Sequence, residues 1–285
     1  MEKLAISNAG SFFHRDSPPR PMALPLQINQ LSFAALDPRD VNWYKQRKTW
    51  EETSSLLYPL ARQAGFECFL DIGANHGMVG IIAAKNGFEV LCIEADPRLI
   101  PAIERHFADN GVAPVAIVNA IAGAHADTTT TFSFNPSSTL DNRVDMPSWT
   151  KVPVPTIAAA DLLAPHGFDR RPLFIKIDTQ GFEAQVLAGL APVLDGRDDW
   201  MIKMEFAPQW LESQGAGPLE LLRSLIARFD AVEFPERITW GTPTLSALFQ
   251  TPLREQDSAS FLAYVRNLNR DERGWVDLLV RPRAS

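Results

Sequence analysis

The chain has 285 residues, of which 46% are apolar and 21% are charged, and its formal net charge is −7. This composition is typical of a globular protein, and the length suits one α/β domain of roughly 230–250 residues with an extension. The acidic balance without a basic tract argues against a nucleic-acid partner, and no apolar run reaches the roughly 18 residues of a membrane span.

The first 40 residues are predicted to form an extension outside the main domain. Four prolines between positions 18 and 25 prevent a regular helix or a central strand there. A helical pattern follows from Asn42 to Ala64, and Gly65 can end it. We therefore divide the chain into an extension at 1–40 and a main domain at 41–285.

Beyond Gly65, strand-like and helix-like segments alternate. Strands are predicted at 67–72, 89–94, 114–120, 172–178, 200–206, 229–234 and 275–280, and helices at 78–86, 97–109, 157–163, 182–190, 217–228 and 257–267. This alternation indicates right-handed β-α-β units, hence an α/β fold with a seven-stranded, mostly parallel sheet and helices on both faces. The polar stretch at 128–154, with a possible short strand at 131–134, is predicted to be an insertion beside the binding edge.

A glycine turn after the first of these strands is the most informative motif. An apolar strand ends in a turn that contains Gly73 and Gly77, and a helix follows. Backbone N–H groups at a helix start favour a negatively charged ligand group, and glycines let a ligand approach the main chain. The next strand ends at Glu94, where a carboxylate can bind two ribose hydroxyls. These features predict a cofactor that contains a nucleoside.

The residues of the turn indicate which cofactor. A dinucleotide fingerprint needs three glycines, but Asn75 and Met78 occupy two of the positions. Asp71, before the turn, would repel a pyrophosphate and suits the cationic ammonium group of S-adenosylmethionine. The pattern therefore favours S-adenosylmethionine over a nicotinamide dinucleotide.

Polar residues follow several predicted strands and are expected to meet at one edge of the sheet. Ligands of open parallel sheets bind beyond the carboxyl ends of the strands. The residues at those ends are Asp71, Glu94, Asp96, Asn119, Asp178 and Glu205. Each alone could be a turn residue or a helix cap, and Asp96 before Pro97 has the pattern of an N-cap. Together they predict one binding site.

The remaining signals concern metal, redox state and location. Cys68 and Cys92 fall within predicted strands, so we expect buried, unpaired thiols. The five histidines lack the spacing of metal ligands, and we expect no metal. The N-terminus lacks the apolar core of a signal peptide, so the expected location is cytoplasmic.

The chain resembles the FkbM family of class I, S-adenosylmethionine-dependent methyltransferases from about Phe69 to Glu205. The resemblance rests on the segments FLDIGANHG (69–77), CIEADP (92–97), VNAIA (118–122), SST (137–139) and IKIDTQGFEAQVLAG (175–189). It implies a Rossmann-like fold and O-methylation of a hydroxyl on a sugar or natural product. Many members carry glutamate where this chain has Gln180, so that position cannot act as a base.

The candidate site residues follow from this hypothesis. We assign Asp71 to the ammonium group of the cofactor, Glu94 to its ribose, and the chain at Asn119 to its adenine. The full set of candidate cofactor-binding residues is Asp71, Gly73, Ala74, Asn75, Gly77, Glu94, Asn119, Ala120 and Asp178. Asp178 and Glu205 are the candidate catalytic residues, with Glu205 as a rival general base. Ser138, Thr139 and His76 are the candidate acceptor-binding residues.

Alternatives remain open at the level of the sequence. N-methylation of an amine or amide would use the same scaffold, and a non-catalytic module could keep the fold without turnover. A nicotinamide-dependent oxidoreductase is disfavoured by the missing glycines. The expected partner is a small-molecule or saccharide acceptor, with a homo-oligomer possible and no nucleic acid.

Overall fold

The computed structural model describes residues 24–28, 31–35, 40, 56–135, 138–234, 244–268 and 274–283. Within them the strands are β1 (Leu24–Ile28), β2 (Leu31–Ala35), β3 (Cys68–Ile72), β4 (Glu89–Glu94), β5 (Ala116–Asn119), β6 (Ile121–Gly123), β7 (Asp127–Phe134), β8 (Arg143–Val144), β9 (Thr150–Ala158), β10 (Leu173–Ile177), β11 (Trp200–Phe206), β12 (Phe229–Glu233) and β13 (Val276–Pro282). The α-helices are α1 (Leu57–Gln63), α2 (Met78–Lys85), α3 (Ile100–Asp109), α4 (Glu183–Leu194), α5 (Pro208–Ser213), α6 (Pro218–Arg228) and α7 (Ser258–Asn267).

Seven strands form the main sheet in the order β12-β13-β11-β10-β3-β4-β5. The pairs on either side of β10 and along β3, β4 and β5 are parallel, whereas β13 is antiparallel to both β11 and β12. All seven predicted strands are confirmed. The central strands β3 and β10 are the clearest in the sequence, because fully buried parallel strands are short apolar runs.

Side chains alternate between the two faces of the sheet along each strand. Apolar side chains are buried on both faces. On one face of β3, Phe69 packs edge-on against Phe174 of the neighbouring β10, with ring centroids 5.0 Å apart. Tyr58 of α1 contacts Phe69 on the same face, at 5.6 Å. Leu70 and Ile72 belong to the apolar cluster on the other face. Burial of each such side chain contributes about 1.5–3 kcal/mol, and the resulting rigid sheet fixes the strand ends that carry the site.

One predicted helix is wrong and one insertion has more structure than predicted. The predicted helix at 157–163 is divided between the end of β9 and a 3-10 helix at Ala159–Leu162. Buried Val154 and Thr156 alternate with exposed residues, which is the period of a strand. The insertion at 128–154, predicted to hold one short strand, supplies β7, β8 and most of β9 to a four-stranded sheet of order β6-β9-β7-β8.

Parts of the predicted N-terminal extension pack on the main domain. β1 and β2 pair as an antiparallel two-stranded sheet, and β2 contacts α3. Leu31 is buried in the main core, and Asp40 is 1% exposed. The helix predicted from Asn42 is described only at α1, because 41–55 lie outside the described residues. Cys68 and Cys92 are buried and unpaired, as predicted, and no helix in the described ranges is long and apolar enough to cross a bilayer.

Candidate active site

A cavity of about 420 Å³ lies at the carboxyl ends of β3, β4, β10 and β11, with the insertion along one side. Its lining comes from the seven-stranded sheet, which includes β13, and from the four-stranded sheet. Three parts of the lining differ in chemistry: a glycine turn with Glu94, a group of carboxylates around Asp178, and an aromatic end at Trp210 and Trp275.

The glycine turn is fixed by both neighbouring strands. Gly73 has φ +76°, and its N–H donates to the Ile93 carbonyl at 3.0 Å. The N–H of Ala74 donates to the same carbonyl at 3.1 Å. A Cβ at position 73 would lie 1.9 Å from the Asp178 carbonyl oxygen. Only glycine fits there, because the conformation is left-handed and the space is filled by backbone.

Glu94 is the carboxylate that the sequence places on the ribose. Its Oε2 accepts the N–H of Asn75 at 2.6 Å, and its Oε1 accepts the N–H of Asp96 at 2.7 Å. The side chain lines the cavity yet is only 6% exposed. Burial raises the pKa of Glu94 to about 7, against the opposing effect of the two N–H donors. Each oxygen keeps a second acceptor position, which suits the two donors of a vicinal diol.

Asp71 is placed differently from the sequence-based assignment, because it does not line the cavity. It is fully buried; Oδ2 accepts the N–H of Gly80 at 3.0 Å, and Oδ1 lies 3.3 Å from Nζ of Lys176. Lys176 does line the cavity, donates to the Gly73 carbonyl at 2.7 Å and lies 3.5 Å from Asp178. Burial lowers the pKa of Lys176, but Asp71 and Asp178 outweigh it and hold that pKa above its usual range. The cationic side chain of Lys176 therefore lines the cavity where the Asp71 carboxylate was expected.

Two other candidates lie one layer behind the cavity wall. Gly77 donates its N–H to the Ala74 carbonyl, and a Cβ there would meet Ile103 at 2.8 Å. The side-chain amide of Asn119 donates to the carbonyls of Glu94 and Ala95, at 2.8 and 3.0 Å. Neither residue lines the cavity, whereas Ala120, which follows Asn119, does. Both shape the wall through the backbone.

The second part of the site brings Asp178, Gln180 and Glu205 together. Nε2 of Gln180 donates to Asp178 Oδ1 at 2.8 Å and lies 3.5 Å from Glu205 Oε2. Oε1 of Gln180 is buried and has no hydrogen-bond partner among the described residues. Gln180 has φ +57°, an uncommon conformation for a residue with a side chain. Burial, and then repulsion by Asp178, raises the pKa of Glu205 well above its usual range.

Glu183, which was not predicted from the sequence, supports the turn that carries Asp178 and Gln180. Its Oε1 accepts the N–H of Thr179 at 2.9 Å, the Thr179 hydroxyl at 3.0 Å and the N–H of Gly181 at 3.2 Å. The available signal was an acidic residue in the first turn of α4, where it can satisfy free backbone donors.

The candidate acceptor residues line the cavity, but their hydroxyls contact the N-terminal segment. Oγ of Ser138 donates to Asp40 Oδ1 at 2.7 Å, and Oγ1 of Thr139 donates to Asp40 Oδ2 at 2.5 Å. Nε2 of His76 lies 3.3 Å from Thr139 Oγ1. Burial, with a smaller contribution from His106, lowers the pKa of His76 to about 3, so the ring is neutral at ordinary pH.

The aromatic end of the cavity was not predicted from the sequence, because two of its residues lie at the antiparallel strand β13. Trp275 directly precedes β13, and Asp277, its second residue, is paired with Glu205 in the sheet. Nζ of Lys203 lies 2.8 Å from Asp277 Oδ2, and Trp210 completes this end of the cavity. The candidate residues predicted from the sequence all follow strands, whereas an antiparallel strand brings its first residues to the edge where parallel strands end.

No group of three or more His, Cys, Asp or Glu side chains suited to a metal occurs in the described part of the chain. Three acidic residues of the cavity have other partners: Asp178 lies beside Lys176, Asp277 lies beside Lys203, and Glu94 accepts backbone N–H groups. The cavity is therefore lined by acidic and lysine side chains together with apolar residues.

Comparison with known proteins identifies the family. Residues 71–235, more than half of the chain, match the model described as the methyltransferase FkbM domain. No curated protein sequence matches this chain.

Several solved methyltransferase structures match this chain at low sequence identity. The plantazolicin methyltransferase BamL, solved with a desmethyl analog and SAH, shares 9% identity over 87% of this chain and 90% of its own, with a TM-score of 0.45. For precorrin-6y C5,15-methyltransferase from Geobacter metallireducens GS-15 these values are 12%, 80%, 87% and 0.38. For ribosomal protein L11 methylase from Lactobacillus delbrueckii subsp. bulgaricus they are 13%, 82%, 80% and 0.36.

The strand order, with its single antiparallel strand β13, and the glycine turn at the end of β3 agree with the fold predicted from the sequence. Because the matched family model is a methyltransferase domain, it excludes the nicotinamide-dependent oxidoreductase. The chain belongs to the FkbM methyltransferase family and is a Rossmann-like class I, S-adenosylmethionine-dependent methyltransferase.

Proposed function

We propose that this methyltransferase acts on a hydroxyl group of a sugar or natural product. The observation that carries the proposal is the meeting of Asp178, Gln180 and Glu205 in the cavity that also contains Glu94. A proton acceptor thus lies in the same cavity as a group suited to a nucleoside.

The residues of the glycine-turn end fit S-adenosylmethionine. Glu94 offers acceptor positions for two ribose hydroxyls, and Ala120 with Ile121 supplies an apolar surface for a base. Oε1 of Gln180 accepts no hydrogen bond from any described residue, so it is an acceptor for an ammonium or hydroxyl donor. A buried acceptor gains when a ligand satisfies it. When bound, the cofactor supplies a methyl carbon activated by a sulfonium.

Glu205 is the residue best suited to take the acceptor proton. Methyl transfer to a hydroxyl would form a C–O bond, break the C–S bond of the sulfonium to leave a neutral thioether, and release the hydroxyl proton. We assign that proton to the Glu205 carboxylate. Its raised pKa makes it a stronger base than an exposed glutamate. Asp178 lines the cavity beside it and is anchored by Lys176 and Gln180, so we assign Asp178 to orienting the reacting groups.

The far end of the cavity suits a polyhydroxylated ring. Trp210 and Trp275 offer broad apolar faces, while Lys203 and Asp277 offer a donor and an acceptor beside them. Ligand sites commonly combine aromatic walls with a few polar groups that fix orientation. Because Ser138 and Thr139 already donate to Asp40, we place the acceptor at this aromatic end.

The test is methyl transfer from isotopically labelled S-adenosylmethionine to panels of sugars, hydroxylated natural products and amines. We expect label on a hydroxyl oxygen, located by mass spectrometry and NMR, and loss of this product in Glu205→Gln. Glu104→Gln, on the outer side of α3, is the matched control and should keep full turnover. Label on nitrogen alone would replace the proposal with N-methylation.

A further inference from the structure

We propose that Asp40 is a positioning residue of the cofactor site, which holds Glu94 in place through Thr139 and Asn75. The inference rests on the assignment of Glu94 to the cofactor. Asp40 lies outside the region that matches the family model, in the segment predicted to be an extension. The N-terminal segment would therefore complete the cofactor site.

The first link joins Asp40 to the turn that borders the cavity. Its carboxylate accepts the Ser138 hydroxyl at 2.7 Å, the Thr139 hydroxyl at 2.5 Å and the Thr139 N–H at 3.2 Å. Asp40 is 1% exposed and Thr139 is 7% exposed. Hydrogen bonds to a buried carboxylate are charge-assisted and shorter than neutral ones. These three donors thus fix the 3-10 helix at Thr139–Asp141.

The second link joins that turn to Glu94. Nδ2 of Asn75 donates to the Thr139 carbonyl at 2.9 Å, and the backbone N–H of Asn75 donates to Glu94 Oε2 at 2.6 Å. Asn75 has φ +51°, a conformation that costs a residue with a Cβ free energy unless its surroundings enforce it. The bond from Asn75 to Thr139 supplies such a restraint. Loss of Asp40 would therefore loosen the residue that orients Glu94.

A parallel branch ties the same turn to α3. Thr139 Oγ1 lies 3.3 Å from His76 Nε2, and the His76 carbonyl lies 2.9 Å from Nδ1 of His106. Thr139 is thus the junction of two branches, one to Glu94 and one to α3. The side chain of Thr139 serves Asp40 and His76, whereas its carbonyl serves Asn75, so the two functions can be separated by substitution.

The experiment measures binding of S-adenosylhomocysteine by titration calorimetry to the full chain and to Asp40→Ala, Asp40→Asn and Thr139→Val. We expect the Kd to rise about tenfold for Asp40→Ala and less for Asp40→Asn, which keeps one acceptor oxygen. Ser258→Ala, which removes a hydrogen bond made by a buried side chain outside the cavity lining, is the control and should leave the Kd unchanged.

A double-mutant cycle distinguishes positioning from general destabilisation. If Asp40 acts through Asn75, then Asp40→Ala should add little to the Kd of Asn75→Ala. Additive effects, or an unchanged Kd in a folded Asp40→Ala, would overturn the inference. Glu94→Ala is measured alongside: an unchanged Kd there would refute the cofactor assignment itself, whereas a weakened Glu94→Ala with a normal Asp40→Ala would refute only the role of Asp40.

Discussion

The backbone N–H of Asn75 donates to Oε2 of Glu94 at 2.6 Å, so the turn after β3 and the last residue of β4 hold each other. The two strands are parallel neighbours, with Ile72 opposite Ile93. Their ends therefore reach the same edge together, although 19 residues separate the two partners. The candidate cofactor site is a property of this strand pair.

Removal of the Glu94 carboxylate should weaken cofactor binding. Glu94→Ala loses the acceptors for the ribose hydroxyls, and hydrogen bonds to a charged group contribute about 1.5–3 kcal/mol each. We expect the Kd for S-adenosylhomocysteine to rise by about tenfold or more, measured by calorimetry. Glu104→Ala on the outer side of α3 is the control. An unchanged Kd for Glu94→Ala would remove Glu94 from the site.

The raised pKa of Glu94 predicts a pH-dependent stability. Its carboxyl has a pKa of about 7 in the folded protein, against about 4.3 in an unfolded chain. Between these values the folded state binds more protons, so this group reduces stability as pH rises from about 4.3 to about 7. Glu94→Gln cannot titrate. Its Tm relative to wild type, without cofactor, should therefore increase from pH 5 to pH 8; a constant difference would contradict the raised pKa.

Gly73 should tolerate no side chain, for a reason separable from its backbone conformation. Gly73→Ala places a Cβ 1.9 Å from the Asp178 carbonyl oxygen at φ +76°, whereas Gly215→Ala at φ +79° meets nothing within 4 Å. Both pay about 1–2 kcal/mol for the left-handed conformation. Gly73→Ala should lose about 1–3 kcal/mol more, because Asp178 must move. Urea unfolding measures the difference, and equal losses would contradict the clash.

Lys176 should be essential for the stability of the fold, because it neutralises the buried carboxylate of Asp71. Lys176→Met leaves Asp71 fully buried without its cation, and such a change typically costs about 3–5 kcal/mol. Asp71→Asn keeps an acceptor for the Gly80 N–H and removes the charge. The double variant should therefore be more stable in urea than Lys176→Met alone. Additive losses would show that the ion pair does not couple the two residues.

The assignment of Glu205 as the general base predicts an acidic limb in the pH–rate profile. Below its raised pKa the carboxyl is protonated and cannot accept a proton, so kcat should rise with pH through that pKa. Glu205→Gln should lose about 10²–10⁴-fold in kcat and lack this limb. Because Asp277 raises the pKa of Glu205, Asp277→Asn should shift the limb to lower pH. A limb that survives in Glu205→Gln would assign the base to another group.

The sequence predicted the seven strands because each is a local apolar run, and the glycine turn because its conformation needs particular residues. The same local logic failed for 157–163, where parallel pairing with β6 extends β9 through Ala158. The assignment of Asp71 to the ammonium group, made from its place before the turn, stays a prediction, and its side chain does not line the cavity. The direction of its side chain depends on packing against Lys176 and α2, which are remote in sequence or follow the turn.

The sequence by itself thus determined the fold class, the position of the cofactor end and the presence of Asp178 and Glu205 at one edge, since periodicity and turn chemistry are local. Only the tertiary structure decided which residues meet across long separations. Asp40 reaches Thr139 across 99 positions, and antiparallel β13 brings Trp275 and Asp277 to the same cavity. Such contacts depend on strand direction and on the packing of distant segments, neither of which a local pattern specifies.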